Sequence, residues 1–190
     1  MTVLVTGGRG FIGRRLVSAL GPDTRVIDID DGKEGILDMD LLIREFQSVG
    51  TVFHLGSCSG NLYFEGNNAR GILTNCIGTL NVLEAARIAR VKRVIFASTQ
   101  TAYAGTPVPH LEDGPISPET NLYTATKIFG EHLCRMYWRR FGLETVVLRF
   151  ASVYGPGEET KGHVSNPLTQ FCWGMMKGEQ PIVLDRKSVV

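Results

Sequence analysis

The stretch VLVTGGRGFIG at residues 3–13 joins an apolar run of strand length to a turn rich in glycine. The glycines Gly7, Gly10 and Gly13 follow the spacing G-x-x-G-x-x-G, and a helical pattern begins at Phe11. Glycines allow the tight turn and let the backbone approach phosphate groups, while the helix directs its N-terminus at the anion. A strand, this turn and a helix in succession predict a site that binds the pyrophosphate of a nicotinamide dinucleotide.

The rest of the chain alternates apolar runs of strand length with longer segments of helical periodicity. Such alternation is typical of βαβ units, and nearly continuous Val, Ile, Leu and Phe runs suit strands that are buried on both faces. The sequence therefore predicts an α/β fold, a Rossmann-type doubly wound parallel sheet. The predicted strands are residues 3–5, 25–29, 51–55, 93–97, 145–148 and 182–184, and the predicted helices are residues 11–20, 41–48, 71–90, 123–141 and about 167–177.

Composition narrows the classes of function. The 190 residues suit one domain, and 43% hydrophobic with 21% charged residues is ordinary for a globular protein. A formal net charge of +1 gives no field that would recruit nucleic acid or an acidic membrane. The four cysteines form no C-x-x-C pair, so we expect reduced thiols and no metal site. Since the N-terminus lacks a signal-peptide pattern and no apolar run reaches the length of a membrane span, we expect a cytoplasmic protein.

An acidic residue after the second strand is expected to hydrogen-bond the ribose of the dinucleotide. Asp28, Asp30 and Asp31 are available, and Asp30 lies at about the expected distance of 20 residues, with Asp31 a close rival. A carboxylate there repels a 2′-phosphate and favours NAD over NADP. Arg9 argues the other way, because a guanidinium in the turn could pair with that phosphate.

A second group of residues indicates redox chemistry. Tyr123 and Lys127 are four residues apart at the start of a predicted helix, so their side chains share a face. The ammonium and a positive cofactor ring would lower the Tyr123 pKa from about 10 toward neutrality, so that the tyrosine accepts a proton from a substrate hydroxyl. Ser98 and Thr99 follow the fourth predicted strand, at the carboxyl edge where parallel sheets bind ligands. His54 lies inside a buried strand and is interpreted as a hydrogen-bonded core residue.

These motifs resemble those of the extended short-chain dehydrogenase/reductase group and, within it, the NAD-dependent epimerase/dehydratase family, whose members act largely on nucleotide sugars. The similarity runs in family order over nearly the whole chain. The stretches that carry it are TGGRGFIG (6–13), VFHLG (52–56), NCIGTLNVLEA (75–85), STQTAY (98–103), YTATK (123–127) and LRFASVYGP (148–156).

The resemblance implies roles for individual residues. Thr99 would supply the catalytic hydroxyl, Tyr123 the base, and Lys127 a hydrogen bond to the ribose. The substrate would be contacted by Thr99, Tyr123 and Ser152. Besides Tyr123 and Lys127, the residues implied to contact the cofactor are Gly7, Gly10, Phe11, Ile12, Gly13, Asp30, Asp31, Asp38, Leu55, Gly56, Asn75, Ser98 and Phe150.

The chain departs from the family pattern at several positions. Gly35 replaces an acid that often contacts adenine, which leaves Asp38 for that role, and Ser152 replaces an asparagine that contacts the substrate. Gln100 and Thr101 follow the implied catalytic threonine where dehydratases and decarboxylases carry acids. We therefore expect an NAD-dependent nucleotide-sugar epimerase. The alternatives are a sugar reductase or dehydrogenase, a dehydratase, or a catalytically silent NAD-binding regulatory protein.

The resemblance also implies features of the whole molecule. Family members continue beyond this point into a smaller substrate domain, so residues 151–190 are expected to begin a largely missing substrate-binding part. Two copies of the chain are expected to pair through the helices predicted at 71–90 and 123–141.

Overall fold

The computed structural model describes residues 2–29, 34–60, 64, 66–117, 121–158 and 166–180. The chain divides into two compact units, Met1–Ala151 and Ser152–Val190. The predicted strand at 182–184 and the candidate acids Asp30 and Asp31 lie outside the described residues.

The first unit contains a five-stranded sheet in which every described pairing is parallel, and this confirms the predicted α/β class. The order across the sheet is β2-β1-β3-β4-β5. The strands are β1 (Thr2–Thr6), β2 (Arg25–Ile27), β3 (Val49–His54), β4 (Arg93–Thr99) and β5 (Glu144–Phe150). The helices are α1 (Phe11–Leu20), α2 (Met39–Glu45), α3 (Asn68–Ile72), α4 (Gly78–Ile88) and α5 (Leu122–Phe141).

The strand order reverses direction at β1. The chain passes from β1 to β2 on one side, and β3 then pairs with β1 on the other side. In open parallel sheets, ligands bind outside the carboxyl ends of the strands at such a switch point. The glycine turn begins at Gly7, directly after β1, so the fold places it at this position.

Apolar side chains of the three inner strands form the core of this unit with α4. Leu4, Val52 and Val94 are fully buried on β1, β3 and β4, and Val82 and Leu83 are fully buried on α4. Burying a side chain of this kind contributes about 1.5–3 kcal/mol, which offsets part of the entropy lost on ordering the chain.

Two segments differ from the sequence-based expectation. The helix predicted at 71–90 is divided by a π turn, Leu73–Ile77, which separates α3 from α4 and holds Asn75 in a buried position. Strand β4 includes Ser98 and Thr99, which were expected to follow it. A hydroxyl side chain does not end a strand whose backbone stays paired, and Thr99 is in register with Phe150 of β5.

The second unit contains helix α6, Pro167–Met176. Asn166 caps this helix by accepting a hydrogen bond from the Leu168 amide at 3.0 Å. Glu158 is buried within the same unit and accepts hydrogen bonds from the Asn166 amide and the Thr169 hydroxyl.

Candidate functional site

The glycine turn is held by its own backbone. Gly7 has φ +70°, and its amide donates to the Ile27 carbonyl at 2.8 Å, while the Gly10 amide donates to the Gly7 carbonyl at 3.1 Å. A Cβ on Gly13 would lie 2.1 Å from that same carbonyl oxygen, so only glycine fits there. Gly10 is the N-cap of α1 and offers no side-chain oxygen to the first amides, which suits this helix end to an anion.

Asp28 ties the turn to the end of β2. Its Oδ2 accepts a hydrogen bond from the Arg9 amide at 2.6 Å, and its Oδ1 accepts one from the Ile29 amide at 2.9 Å. Both carboxylate oxygens of Asp28 therefore accept hydrogen bonds from backbone amides, one of them in the glycine turn.

The loop after β3 lies against the glycine turn. The Leu55 amide donates to the Thr6 carbonyl and the Gly56 amide donates to the Thr6 hydroxyl, both at 3.1 Å. A Cβ on Gly7 would come within 2.7 Å of the Gly56 nitrogen, so the two backbones approach as closely as glycines allow.

His54 is a core residue, as predicted. Its ring nitrogens form hydrogen bonds with the hydroxyls of Thr6 and Thr79 at 2.7 and 3.0 Å. Burial, helped by the charge of Lys127, lowers the pKa of His54 to about 3. The ring is therefore neutral at physiological pH, and both of its nitrogens are used inside the protein.

Thr99, Tyr123 and Lys127 come together at the carboxyl end of β4. The Thr99 side chain interacts with the Tyr123 hydroxyl and favours its ionised form. The Lys127 ammonium is buried, donates to the Ala97 carbonyl at 2.9 Å, and lies 6.0 Å from the centroid of the Tyr123 ring. Asn121 begins α5 as its N-cap, and this start places Tyr123 and Lys127 on the first two turns of the helix.

The ionisation of this group differs from the simple sequence expectation. Burial raises the pKa of Tyr123, while the interaction with Thr99 acts in the opposite direction. Burial lowers the pKa of Lys127 to about 8, so this lysine is still mostly protonated at neutral pH. The Tyr123 pKa is thus raised rather than lowered, because burial outweighs the interaction with Thr99.

Other predicted cofactor residues have partners within the protein. The Asn75 side chain forms two hydrogen bonds with the Cys58 backbone. Its Oδ1 accepts from the Cys58 amide at 2.8 Å, and its Nδ2 donates to the Cys58 carbonyl at 3.0 Å. The Ser98 hydroxyl donates to Glu131 of α5, and Asp38 caps α2 by accepting a hydrogen bond from the Leu41 amide. The cofactor contacts of these residues remain predictions.

The sequence interpretation missed a polar network beside the site. Arg149 of β5 forms an ion pair with Glu131 of α5, with Nη2 and Oε2 2.7 Å apart. Arg149 also donates to the Tyr103 hydroxyl at 2.6 Å and to the Glu112 carbonyl at 3.1 Å. The available signal was Glu131 itself, a charged residue one turn after Lys127 on a helix face that must be buried.

Within the described ranges, no helix combines the length and apolar character needed to cross a membrane. In that same part of the chain, no group of three or more His, Cys, Asp and Glu side chains is placed to hold a metal ion.

Comparisons with known proteins agree with the fold. The family described as "NAD dependent epimerase/dehydratase family" matches residues 3–188. The chain is 33% identical to the Bacillus subtilis protein named "Uncharacterized UDP-glucose epimerase YtcB", over 97% of this chain and 70% of that protein.

Two solved structures are similar over nearly the whole chain. UDP-N-acetylglucosamine 4-epimerase from Methanobrevibacter ruminantium, in complex with UDP-N-acetylmuramic acid, has a TM-score of 0.85 and 27% identity over 96% of this chain. The Thermus thermophilus UDP-glucose 4-epimerase complex with NAD has a TM-score of 0.77 and 28% identity over 94% of this chain. The present chain spans 64% of each of these proteins.

Proposed function

We propose that this chain, which belongs to the NAD-dependent epimerase/dehydratase family, binds NAD and epimerises a nucleotide sugar. The observation that carries the proposal is the meeting of Thr99, Tyr123 and Lys127 at the carboxyl end of β4. The names of the relatives support both the cofactor and the substrate class.

The glycine turn fits the pyrophosphate of NAD. Gly7, Gly10 and Gly13 keep the backbone free of side chains, and the backbone of Phe11 and Ile12 starts the helix that faces the anion. Leu55, Gly56, Ser98 and Phe150 belong to the same carboxyl edge of the sheet and are the proposed further contacts. The ribose acid of this proposal is Asp30 or Asp31, and a carboxylate there favours NAD over NADP.

The proposed reaction is a reversible oxidation at one carbon of the sugar. NAD held by the glycine turn would supply the acceptor and donor for the hydride that leaves this carbon and is returned to its opposite face. Tyr123 takes the proton of the sugar hydroxyl and later gives it back, and Thr99 holds the same oxygen by a hydrogen bond. Lys127 stabilises the phenolate form of Tyr123 through its positive charge.

Residues next to Thr99 favour epimerisation over dehydration. Elimination of water needs an acid to protonate the leaving hydroxyl, and this chain has Gln100 and Thr101 at the positions where the family's acids stand. Neither an amide nor an aliphatic hydroxyl donates a proton readily at neutral pH. A reductase or dehydrogenase remains the second candidate, and it differs from an epimerase in producing net reduced or oxidised cofactor.

The test is Tyr123→Phe, with Tyr137→Phe as the matched control. Tyr137 lies on the same helix, but its hydroxyl donates to Glu84 at 2.9 Å, away from the site. We expect Tyr123→Phe to lower kcat for interconversion of UDP-glucose and its 4-epimer by roughly 10²–10⁴-fold while NAD still binds. Tyr137→Phe should keep wild-type turnover.

The outcome also separates the alternatives. Net formation of reduced cofactor in each turnover would identify a dehydrogenase. A wild-type chain that binds NAD without any turnover would support the silent regulatory protein, and full activity of Tyr123→Phe would overturn the proposed mechanism.

We also infer that two copies pair through the helices that include α4 and α5. Large apolar side chains on these helices are exposed, which is unfavourable in an isolated protomer. The exposed residues are Leu80, Ile88, Phe129, Met136 and Phe141. In this proposal the unit Ser152–Val190, with Ser152, begins the part that binds the sugar nucleotide.

A further inference from the structure

Three threonine hydroxyls form a chain that ends at Tyr123. The Oγ1 atoms of Thr124 and Thr101 are 2.7 Å apart, and those of Thr101 and Thr99 are 3.0 Å apart. Thr99 in turn interacts with the Tyr123 hydroxyl and favours its ionised form. Thr124 is fully buried and Thr99 nearly so, which restricts the exchange of these hydrogen bonds for bonds to water.

Backbone hydrogen bonds fix the local structure around Thr101 and around Thr124. The Thr101 amide donates to the Thr99 hydroxyl oxygen at 3.2 Å, within the turn that follows β4. The Thr124 amide donates to Oδ1 of Asn121, the N-cap of α5, at 2.8 Å. The hydroxyls of Thr101 and Thr124 are thus brought together by two elements that each have a defined local structure.

Once Tyr123 has lost its proton, counting the remaining protons gives the chain of hydroxyls a direction. A hydroxyl has one proton to donate, so Thr99 can donate to the Tyr123 oxygen only when Thr101 donates to Thr99. Thr101 then accepts a proton from Thr124. The order Thr124 to Thr101 to Thr99 to Tyr123 satisfies every pair, and donors in such a chain polarise one another.

We propose that Thr101, supported by Thr124, is a positioning residue: by donating to Thr99 it leaves the single hydroxyl proton of Thr99 free to point at the site. That proton is donated to the ionised Tyr123 oxygen while the site is empty, and to the sugar oxygen once the sugar hydroxyl donates to Tyr123. The inference rests on the proposed function, in which Tyr123 exchanges a proton with the substrate. It gives the hydroxyl of Thr101 a role at the position where related dehydratases carry an acid.

The other groups near Tyr123 do not involve the Thr101 hydroxyl. Lys127 lies one turn along the same helix, and Cys58, on the loop after β3, interacts electrostatically with the Lys127 ammonium. The ring centroids of Tyr123 and Phe64 lie 6.4 Å apart at an angle of 65°, which is an uncharged contact. Removing the Thr101 hydroxyl leaves all these groups in place, so its effect can be measured separately from theirs.

The experiment compares Thr101→Val, which is nearly isosteric, with Thr101→Ser, which keeps the hydroxyl. Thr106→Val is the matched control, because the Thr106 hydroxyl donates to the Tyr103 carbonyl at 2.7 Å in the same segment. Ionisation of Tyr123 is followed by ultraviolet difference titration against the Tyr123→Phe background, with and without NAD. Turnover of UDP-glucose is measured across the same pH range.

We expect Thr101→Val to raise the Tyr123 pKa and to lower kcat roughly fivefold at neutral pH, the equivalent of one neutral hydrogen bond. KM should change less than kcat, since the Thr101 hydroxyl is already paired with the hydroxyls of Thr99 and Thr124. Thr101→Ser should restore both values, and Thr106→Val should leave them at the wild-type level. Thr101→Ala takes the place of Thr101→Val if the valine variant does not fold.

The results separate this inference from the proposed function. An unchanged Tyr123 titration in Thr101→Val, in a protein whose turnover is lost in Tyr123→Phe, overturns the positioning role and leaves the function standing. Wild-type turnover in Tyr123→Phe overturns the function and, with it, the inference.

Discussion

At the scale of single residues, Lys127 shows a conflict between stability and the proposed chemistry. Its ammonium is buried with the Phe96 ring centroid 5.1 Å away, and its hydrogen bond to the Ala97 carbonyl replaces only part of the water that it loses. Burial lowers the pKa from 10.5 to about 8. Holding this charge therefore costs folding free energy that a neutral side chain would not.

We predict that Lys127→Met raises the free energy of unfolding of the unliganded chain at pH 7 by about 2 kcal/mol. The pKa decrease corresponds to about 3 kcal/mol, and loss of the bond to Ala97 offsets about 1 kcal/mol. Urea denaturation measures the change, and Lys92→Met, at an exposed lysine with no part in the site, should show none. NAD affinity should fall in Lys127→Met.

The stabilisation expected from Lys127→Met depends on pH. Because the folded-state pKa is below the unfolded-state value, the penalty is complete below about pH 8 and is relieved as pH rises from there to 10.5. The stability advantage of Lys127→Met should shrink over that window. A variant that is less stable than wild type at pH 7 would contradict the account.

Residue types and spacing were enough to predict the group around Tyr123, but not its ionisation. Tyr123 and Lys127 are one helical turn apart, so a local pattern reveals them, and Thr99 follows from the position of a strand end. Glu131 and Arg149 meet across 18 residues of chain, and Thr101 meets Thr124 across 23. Contacts of that kind depend on how α5 packs on the sheet, which periodicity does not describe.

At the scale of elements, the ion pair of Glu131 and Arg149 holds three segments together. It joins α5 to β5, and Arg149 adds hydrogen bonds to Tyr103 and Glu112 of the segment that follows β4. Ser98 binds the same carboxylate. The pair therefore fixes the strand end that carries Thr99 relative to the helix that carries Tyr123.

We predict that Arg149→Met lowers the free energy of unfolding by about 3–5 kcal/mol, because it leaves the buried Glu131 carboxylate without its cation. Glu131→Gln should cost less, about 1.5–3 kcal/mol, because Arg149 keeps its hydrogen bonds to Tyr103 and Glu112. The double variant should lose less than the sum of the two. Chemical denaturation of the wild type, the two single variants and the double variant measures the coupling between Glu131 and Arg149. The exposed pair of Arg44 and Glu45 is the control, and breaking it should cost at most about 1 kcal/mol. If the losses of the two single variants simply add in the double variant, the ion pair does not hold these segments together.

Element boundaries mark the limit of the sequence prediction. The strands and helices of the first unit were found because their apolar runs are long and regular. The π turn at Leu73–Ile77 was not, because its sequence continues the helical pattern on both sides. Its wider backbone turn places Thr74 and Asn75 in the interior, where Asn75 binds the Cys58 backbone.

At the scale of the whole molecule, the proposed dimer accounts for the apolar surface of α4 and α5. Phe129 and Met136 are 46% and 58% exposed in one protomer, which is far from their usual burial. A second copy that covers them would remove this area from water, at about 25 cal/mol for each Å².

We predict that the chain sediments as a dimer and that Phe129→Asp converts it to a monomer at micromolar concentration. Burying one unpaired carboxylate in the interface opposes association by several kcal/mol. Val108→Asp is the matched control, since Val108 is 79% exposed on a segment outside both helices and should leave the dimer intact. A wild-type chain that sediments as a monomer would disprove the proposed pairing.

The strand order has a consequence for how the protein is made. Of the five described strands β1 leaves the ribosome first, yet it lies inside the sheet and pairs with both β2 and β3. Once β3 has appeared, β4 and β5 each add to the same growing edge in the order of translation. The described part of the sheet can thus be extended strand by strand as the chain leaves the exit tunnel, and none of its five strands has to be inserted between two that have already paired.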